Sequence, residues 1–156
     1  MSSIDHRIDH WQGGLPDPVT EAQFYDGVPA KRLIAWGVDV TVICTLSLLL
    51  VPFTAFTAIF YLPVFMAIVG FLYRWASLAR ISGTPGMRLV GIELRSFEGR
   101  RLDAGTALFH VAGYVTSLAF FPLVLLSAAL MVVTRRKQGL TDHILGTAAI
   151  RRAAID

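Results

Sequence analysis

Two long apolar stretches dominate the pattern of hydrophobic and polar positions along this chain. Residues 40–73 form a run of 34 positions without a charged side chain, and residues 104–134 form a second run of 31. About 20 apolar residues are enough for a helix to cross the hydrocarbon core of a bilayer, so each run exceeds one crossing. The pattern therefore predicts an integral membrane protein built mainly from helices.

The first apolar region is predicted to form two helices joined by a tight turn. As a single helix it would be about twice as long as the bilayer core is thick. Pro52-Phe53-Thr54 is the expected turn, which gives helices at about 31–51 and 55–78. Basic residues flank both outer ends and the turn carries none, so both outer ends are expected to face the cytoplasm.

The second apolar run is too long for one straight span and short for two. A single crossing would place Arg135-Arg136-Lys137 on the outer side, against the tendency of basic residues to stay in the cytoplasm. A hairpin that turns near Phe121-Pro122 avoids this, although its helices would be short or re-entrant. We therefore expect about four membrane-embedded helices, with three as the alternative.

The polar segments between and around these runs predict smaller elements. Residues 92–95 alternate between apolar and charged side chains, and Glu98-Gly99 offers a turn before residues 100–102. These features predict a small cytoplasmic β-hairpin, to which residues 148–150 could add a third strand. The fold class is thus an all-α membrane protein of helical hairpins with a small cytoplasmic β-hairpin.

Residues 1–30 differ from the rest of the chain in composition and charge. They are expected to form a cytoplasmic N-terminal arm, because glycines and prolines interrupt any long helix there. Their charge is about −4, whereas the rest of the chain carries about +7. The basic excess predicts contact with lipid headgroups on the cytoplasmic side, and no aromatic-interleaved basic patch suggests nucleic acid.

The composition excludes several classes of function. The chain is 54% hydrophobic and 16% charged, which is too apolar for a water-soluble domain of 156 residues. Its one cysteine, Cys44, cannot form an intrachain disulfide. No serine-hydrolase, zinc-protease or paired-cysteine motif occurs, so neither an enzyme nor a metal or other cofactor is expected.

Arg32 and Asp39 are the first candidates for chemistry. They are seven residues apart, so they share one face of a helix about 10 Å apart along its axis. Arg32 can extend to the headgroups, whereas an ionised Asp39 costs several kcal/mol in the membrane unless it is paired or hydrated. Asp39 should therefore face protein or a water-filled cavity, either as a proton or cation site or as a structural contact between helices.

Asp142 is the third candidate, with His110 and His143 as secondary ones. Asp142 follows the basic cluster after the last apolar run and is either the cap of a short helix or a partner of Arg32. The second interpretation would bring one base together with two carboxylates. His110 lies within the second apolar run and His143 lies beside Asp142, and both are candidate proton-binding groups.

Three blocks of sequence in and around these candidate residues resemble the RDD family, whose name refers to one arginine and two aspartates. The blocks are residues 32–39 (RLIAWGVD), residues 83–92 (GTPGMRLVGI) and residues 140–152 (LTDHILGTAAIRR). Together with the spans between them they cover about 31–152, which is taken as one RDD-like membrane domain. Met87 stands where the family usually has lysine, and Thr141 stands where histidine usually precedes the aspartate.

The resemblance implies a small polytopic membrane protein with Arg32, Asp39 and Asp142 as its defining charges. For some members it also implies sodium–proton exchange. Two functions are therefore expected: transport of Na+, K+ or H+ through Asp39, or a non-catalytic accessory role in a larger membrane complex. The expected location is the bacterial cytoplasmic membrane, with several spans, both termini in the cytoplasm, and association with further copies or with another complex.

Overall fold

Helices make up most of the described chain, residues 14–152, in this computed structural model. In chain order the helices are α1 (Val28–Leu50), α2 (Leu62–Ile81), α3 (Pro85–Leu89), α4 (Ala104–Ala119), α5 (Phe121–Val133) and α6 (Leu140–Leu145). The strands of this part of the chain are β1 (Ile92–Ser96) and β2 (Thr147–Arg151). Proline stands in the first turn of α1, α2, α3 and α5, where the N–H that it lacks would have no helical partner.

The helices α1 and α2 are the described helices that are long and apolar enough to cross a membrane unaided. They are joined by two short 3₁₀ turns, Val51–Thr54 and Thr57–Tyr61, with Ala55 and Phe56 in left-handed conformation between them. The predicted break at Pro52-Phe53-Thr54 is confirmed. The helices extend beyond their predicted outer ends, and the connection between them is longer than expected.

The second apolar run is also broken where the sequence predicted. The helices α4 and α5 meet at Phe120 with a bend of 119°. Phe120 is extended, and Pro122 follows in the first turn of α5. A proline inside a helix removes a backbone hydrogen bond and clashes with the preceding turn, which favours a break here. The bent pair is either a broken span or a re-entrant loop, so the number of spans remains a prediction.

Large apolar side chains cover the outer surfaces of these helices. Leu48 on α1 is 62% exposed, Ile68 on α2 is 53% exposed and Leu125 on α5 is 56% exposed, and many similar side chains surround them. Water-soluble proteins rarely expose contiguous apolar surface on this scale. The surface is that of a membrane protein.

The sheet differs from the predicted hairpin in the partner of its first strand. The strand β1 pairs antiparallel with β2, and Leu94 lies opposite Ala149. The chain does turn at Gly99, whose N–H donates to the Ser96 carbonyl. The expected second strand at residues 100–102 does not form, because the buried Leu102 is tied to the Ser82 hydroxyl by its N–H. The turn of the predicted hairpin is present, its second strand is not, and the suggested third strand at 148–150 is the actual partner of β1.

Residues 14–27 pack against this sheet. The Leu15 N–H donates to the Phe97 carbonyl at 3.0 Å, and the Tyr25 hydroxyl donates to the Pro16 carbonyl. A small buried cluster results, formed by Leu15, Phe24, Tyr25, Ala148 and Ile150. The rest of the predicted arm, residues 1–13, lies outside the described residues.

The short helix α3 lies directly against α1 because residue 86 is glycine. A Cβ at Gly86 would lie 2.8 Å from Oδ1 of Asp39 and closer still to the carbonyl oxygen of Ala35. A separation that small between side-chain and backbone atoms forces one of the elements to move. Gly86 therefore sets the distance between α1 and the chain segment that follows α2.

Replacing Gly86 tests this packing. We expect Gly86→Ala to destabilise the protein by about 2 kcal/mol, because the added methyl group overfills a packed contact. Gly37→Ala is the matched control, since a Cβ at this α1 position meets no atom of the described chain within 4 Å. The control should be neutral or slightly stabilising, because alanine favours helix over glycine. The measurement is the melting temperature of the purified protein in detergent; equal melting temperatures for the two variants would contradict the packing.

Candidate functional site

Asp39 is buried inside the helical domain and is surrounded by hydrogen-bond donors. Only 1% of its surface is accessible to solvent. Oδ1 accepts from the Tyr73 hydroxyl at 2.9 Å and from the Gly86 N–H at 3.0 Å, and Oδ2 accepts from the Thr84 hydroxyl at 2.5 Å. These residues, together with Arg74, are called the Asp39 site. The site joins α1 to the second half of α2 and to the start of α3.

Arg74 supplies the positive charge of the Asp39 site. Its Nη1 lies 3.4 Å from Oδ2 of Asp39, and both side chains are largely buried. The guanidinium also lies over the Tyr114 ring at 4.7 Å from the centroid, and the Tyr114 hydroxyl accepts from the Trp36 indole at 2.8 Å. Aromatic faces attract cations, so the ring from α4 holds the arginine in place beside the carboxylate.

Asp142 on α6 forms a second buried cluster with groups from several elements. Its Oδ2 lies 2.6 Å from Nη1 of Arg32 and accepts from the Gly139 N–H at 3.0 Å. Its Oδ1 accepts from the Thr147 hydroxyl at 3.0 Å and lies 2.9 Å from Nε2 of His110. These five residues are called the Asp142 site. It links α1, α4 and α6 to the start of β2.

The surroundings of Asp142 keep its carboxylate ionised. Burial alone would raise the pKa of Asp142, but the Arg32 guanidinium and the His110 ring outweigh burial and hold the pKa well below its usual range. Asp142 also accepts from the N–H of Gly139, the residue just before α6. The predicted pairing with Arg32 is present, whereas the N-cap of the helix is Gly139 and Asp142 supports it from the third helical position.

The predicted charges do not meet in one cluster. In the described part of the chain Arg32 pairs with Asp142, while the cation beside Asp39 is Arg74. The expectation of one base shared by both carboxylates is wrong, because the side chain of Arg32 turns toward α6. His110 joins the Asp142 site, whereas His143 is exposed and its Nδ1 contacts the Gly139 carbonyl.

Several functional contacts were missed from the sequence. Tyr73, Arg74 and Thr84 contact Asp39 but were not among the residues predicted for the site. Arg74 follows 34 uncharged residues and precedes the end of α2 by seven, which is a signal that it enters the domain rather than the headgroups. Thr147 carried no comparable signal, because its contact with Asp142 depends on how β2 pairs.

A half-open cavity of about 540 Å³ separates the helices between the two sites. Its charged lining residues come from both of them and are Arg32, Asp39, Arg74 and Asp142. Most of the remaining wall is apolar and comes from α1, α4 and α5. A cavity of this size falls in the range of small-molecule binding sites.

The chemistry of the two carboxylates is that of fixed anions. A carboxylate offers about four lone-pair positions, and donors from the described residues occupy that number on each aspartate. A bound metal ion needs free oxygen or nitrogen ligands, and no group of three His, Cys, Asp or Glu side chains that could hold one occurs within residues 14–152. Arg32 and Arg74, which pair with these carboxylates, also line the cavity.

The comparison with known families agrees with the sequence blocks noted above. A model described as the RDD family matches residues 27–146, which is well over half of the chain, and the chain belongs to that family. The match includes Arg32, Asp39, His110 and Asp142. Searches of curated proteins and of solved structures found no match.

Thr84 offers a test of the Asp39 site. Its hydroxyl donates to Asp39 and also accepts from the Met87 N–H at the start of α3. We expect Thr84→Val to destabilise the protein by about 1–3 kcal/mol, because a buried carboxylate loses a donor and a helix loses its cap. Thr84→Ser restores the hydroxyl and should recover most of the melting temperature in detergent. If valine and serine gave the same melting temperature, the hydroxyl would not support Asp39.

Proposed function

We propose that this member of the RDD family is a multi-pass membrane protein that transports a solute bound in the central cavity. The support for several spans is the pair of long apolar helices together with the bent pair α4 and α5. Basic residues cluster near the outer ends of these elements, which favours both termini in the cytoplasm. The Asp39 site then acts as a structural anchor, and the Asp142 site faces the solute.

The observation that carries this proposal is the cavity with both ion pairs in its wall. A protein that used its charges only to hold helices together would gain nothing from leaving about 540 Å³ unfilled between them, because cores are normally close-packed. Charged groups inside a membrane domain usually face a ligand or water pathway. The wall is also built from three helices that could change their spacing around one site.

Cations and protons are candidate cargo too, but a residue other than Asp39 would then carry them. The donors on Asp39 disfavour it as a carrier of Na+ or K+, since a cation would have to displace Arg74. His110 is better placed to move a proton, because Nε2 contacts Asp142 at the cavity wall. Proton movement would then depend on His110 and Asp142. Asp39 would affect it only by stabilising the folded protein.

The accessory role is the second candidate. The exposed apolar surface of the helices suits a protein partner as well as lipid, so association with further copies or with a larger complex is retained as a proposal. In that case the cavity would not need to open to both sides of the membrane. Access to the cavity therefore distinguishes the two functions without knowledge of the solute.

Cysteine labelling tests transport directly. Cys44 is the one cysteine of the chain, so Cys44→Ser gives a cysteine-free background. Ser117 lines the cavity and is 9% exposed, and Ser117→Cys places a thiol there with little change in volume. Transport predicts that a membrane-impermeant thiol reagent labels this cysteine from each side of oriented vesicles. Labelling from one side only would reject transport in favour of the accessory role.

Leu125→Cys in the same background is the control for reagent access. Leu125 is 56% exposed on the outer surface of α5 and does not line the cavity. Because this position faces lipid, the impermeant reagent should leave it unlabelled from either side. In the same vesicles, dissipation of a pH gradient on addition of Na+ or K+ would identify cation–proton exchange, and His110→Gln should abolish it.

A further inference from the structure

The two arginines in the cavity wall hold their carboxylates in different ways. Nη1 of Arg32 lies 2.6 Å from Oδ2 of Asp142, whereas Nη1 of Arg74 lies 3.4 Å from Oδ2 of Asp39. Hydrogen bonds between a charged nitrogen and a carboxylate oxygen are normally about 2.7–2.9 Å long, so the Arg74 contact is loose. Asp39 does not depend on this contact alone, because three uncharged donors also bond to its oxygens. The positive charge of Arg74 is therefore only partly used within the protein.

Arg74 also has two nitrogens that remain without an acceptor. Its hydrogen bond to Asp39 is made by Nη1, and Nε and Nη2 donate to no acceptor within residues 14–152. The fully buried nitrogens without a partner in this part of the chain include Nε and Nη2 of Arg32, but neither of these nitrogens of Arg74. The free donors of Arg32 are thus enclosed by protein, and those of Arg74 are accessible. Because Arg74 lines the cavity together with Tyr114, its accessible donors border the cavity.

The two free donors of Arg74 share one edge of the guanidinium. Nε–H and one Nη2–H point in parallel, and this edge binds the two oxygens of a carboxylate or phosphate in a bidentate manner. The Tyr114 ring packs against the face of the guanidinium, which leaves the edge open. Asp142 does not compete for the edge, because Arg32 and three further donors occupy its oxygens. The partner that this edge lacks has the chemistry of an oxyanion.

The rest of the cavity fits an apolar part of the same ligand. Beyond the charged groups the wall is largely apolar, with side chains such as Val111, Val124 and Met131. Leu33 and Val132 also line the cavity and are 69% and 66% exposed, on helices whose outer surfaces are apolar. The mouth therefore opens toward the region that lipid would occupy, which gives a hydrocarbon chain a route of entry.

We propose that the cavity binds an amphipathic anion, with a carboxylate or phosphate on Nε and Nη2 of Arg74 and a hydrocarbon chain along the apolar wall. Asp39 keeps its anchoring role, because it holds Arg74 through Nη1. The proposal rests on the cavity used in the proposed function and names its ligand class. It requires binding only, so it stands even if the cavity opens to one side. The shared chemistry admits a free fatty acid or the headgroup end of an anionic lipid.

Equilibrium binding of tritiated oleate to the purified protein in non-ionic detergent tests the proposal. Unlabelled oleate and dioleoyl phosphatidate are the competitors that carry both parts, and their relative potency distinguishes a free acid from a lipid. Oleyl alcohol carries the chain without the charge, and acetate and inorganic phosphate carry the charge without the chain. We expect oleyl alcohol to compete at least about tenfold more weakly than oleate, and the chainless anions to fail at millimolar concentration.

Arg74→Lys tests the bidentate edge. Lysine keeps a positive charge beside Asp39 but offers no planar pair of donors, so oleate should bind at least about tenfold more weakly while the protein stays folded. Arg80→Lys is the matched control, because Arg80 is an exposed residue of the same helix and does not line the cavity. This control should bind oleate like the wild type.

A double variant separates binding of the anion from a structural effect. Arg74→Gln combined with Asp39→Asn removes the charge pair without leaving either charge alone. The preference for oleate over oleyl alcohol should then disappear, whereas a purely structural role of Arg74 would weaken both competitors alike and leave their ratio unchanged.

Val124→Trp tests the apolar half of the site. Tryptophan should fill this part of the cavity and block oleate binding. Leu125→Trp is the matched control, because the neighbouring Leu125 lies outside the cavity; it should bind like the wild type.

Specific outcomes overturn the proposal. If oleyl alcohol competed as well as oleate with the wild type, only water would occupy the Arg74 edge; equal competition by acetate or inorganic phosphate would remove the chain. Wild-type oleate binding in folded Arg74→Lys or Val124→Trp would place the ligand elsewhere. Monodisperse elution and the melting temperature check that each variant is folded. These outcomes would remove the ligand class and leave the labelling test of access from both sides unaffected.

Discussion

The structure depends on the cost of placing an ionised carboxylate away from water. In a low-dielectric interior such a group is tolerated only when donors and a positive charge surround it. Asp39 and Asp142 meet this condition with backbone N–H groups, hydroxyl groups and an arginine each. Because the donors come from different helices, satisfying each carboxylate fixes how those helices pack. Removing one donor therefore affects more than one element.

The two sites together explain why a cavity persists in so small a domain. The Asp39 site fixes α1 against α2 and α3, and the Asp142 site fixes α1 against α4 and α6. The helix α1 is common to both, so the space beside it is bounded on two sides by contacts that cannot relax without unpairing a charge. Arg32 and Arg74 both line that space. The charges that fix the helices therefore also form part of the cavity wall.

Much of the fold followed from sequence, and the contacts of the site did not. Uncharged runs and prolines predicted the breaks near Pro52 and Pro122, since helix length and proline geometry are local properties. The partner of β1 was mistaken because strand pairing joins residues 92–96 to 147–151, and no local signal reports a pairing over that distance. For the same reason Arg32 was expected to serve both Asp39 and Asp142, although it pairs with Asp142 and the cation beside Asp39 is Arg74. Helix spacing shows which residues share a face but not which neighbouring element that face meets.

Pairing of Arg32 with Asp142 and of Arg74 with Asp39 holds the helices in place. Double-mutant cycles of the free energy of unfolding, with Arg→Gln and Asp→Asn substitutions, test it most directly. Coupling of about 1–3 kcal/mol is expected within each pair, because one buried charge without the other is strongly unfavourable. The cross cycle of Arg32→Gln with Asp39→Asn should be additive to within about 0.5 kcal/mol. Coupling between Arg32 and Asp39 as large as that within the pairs would contradict the account.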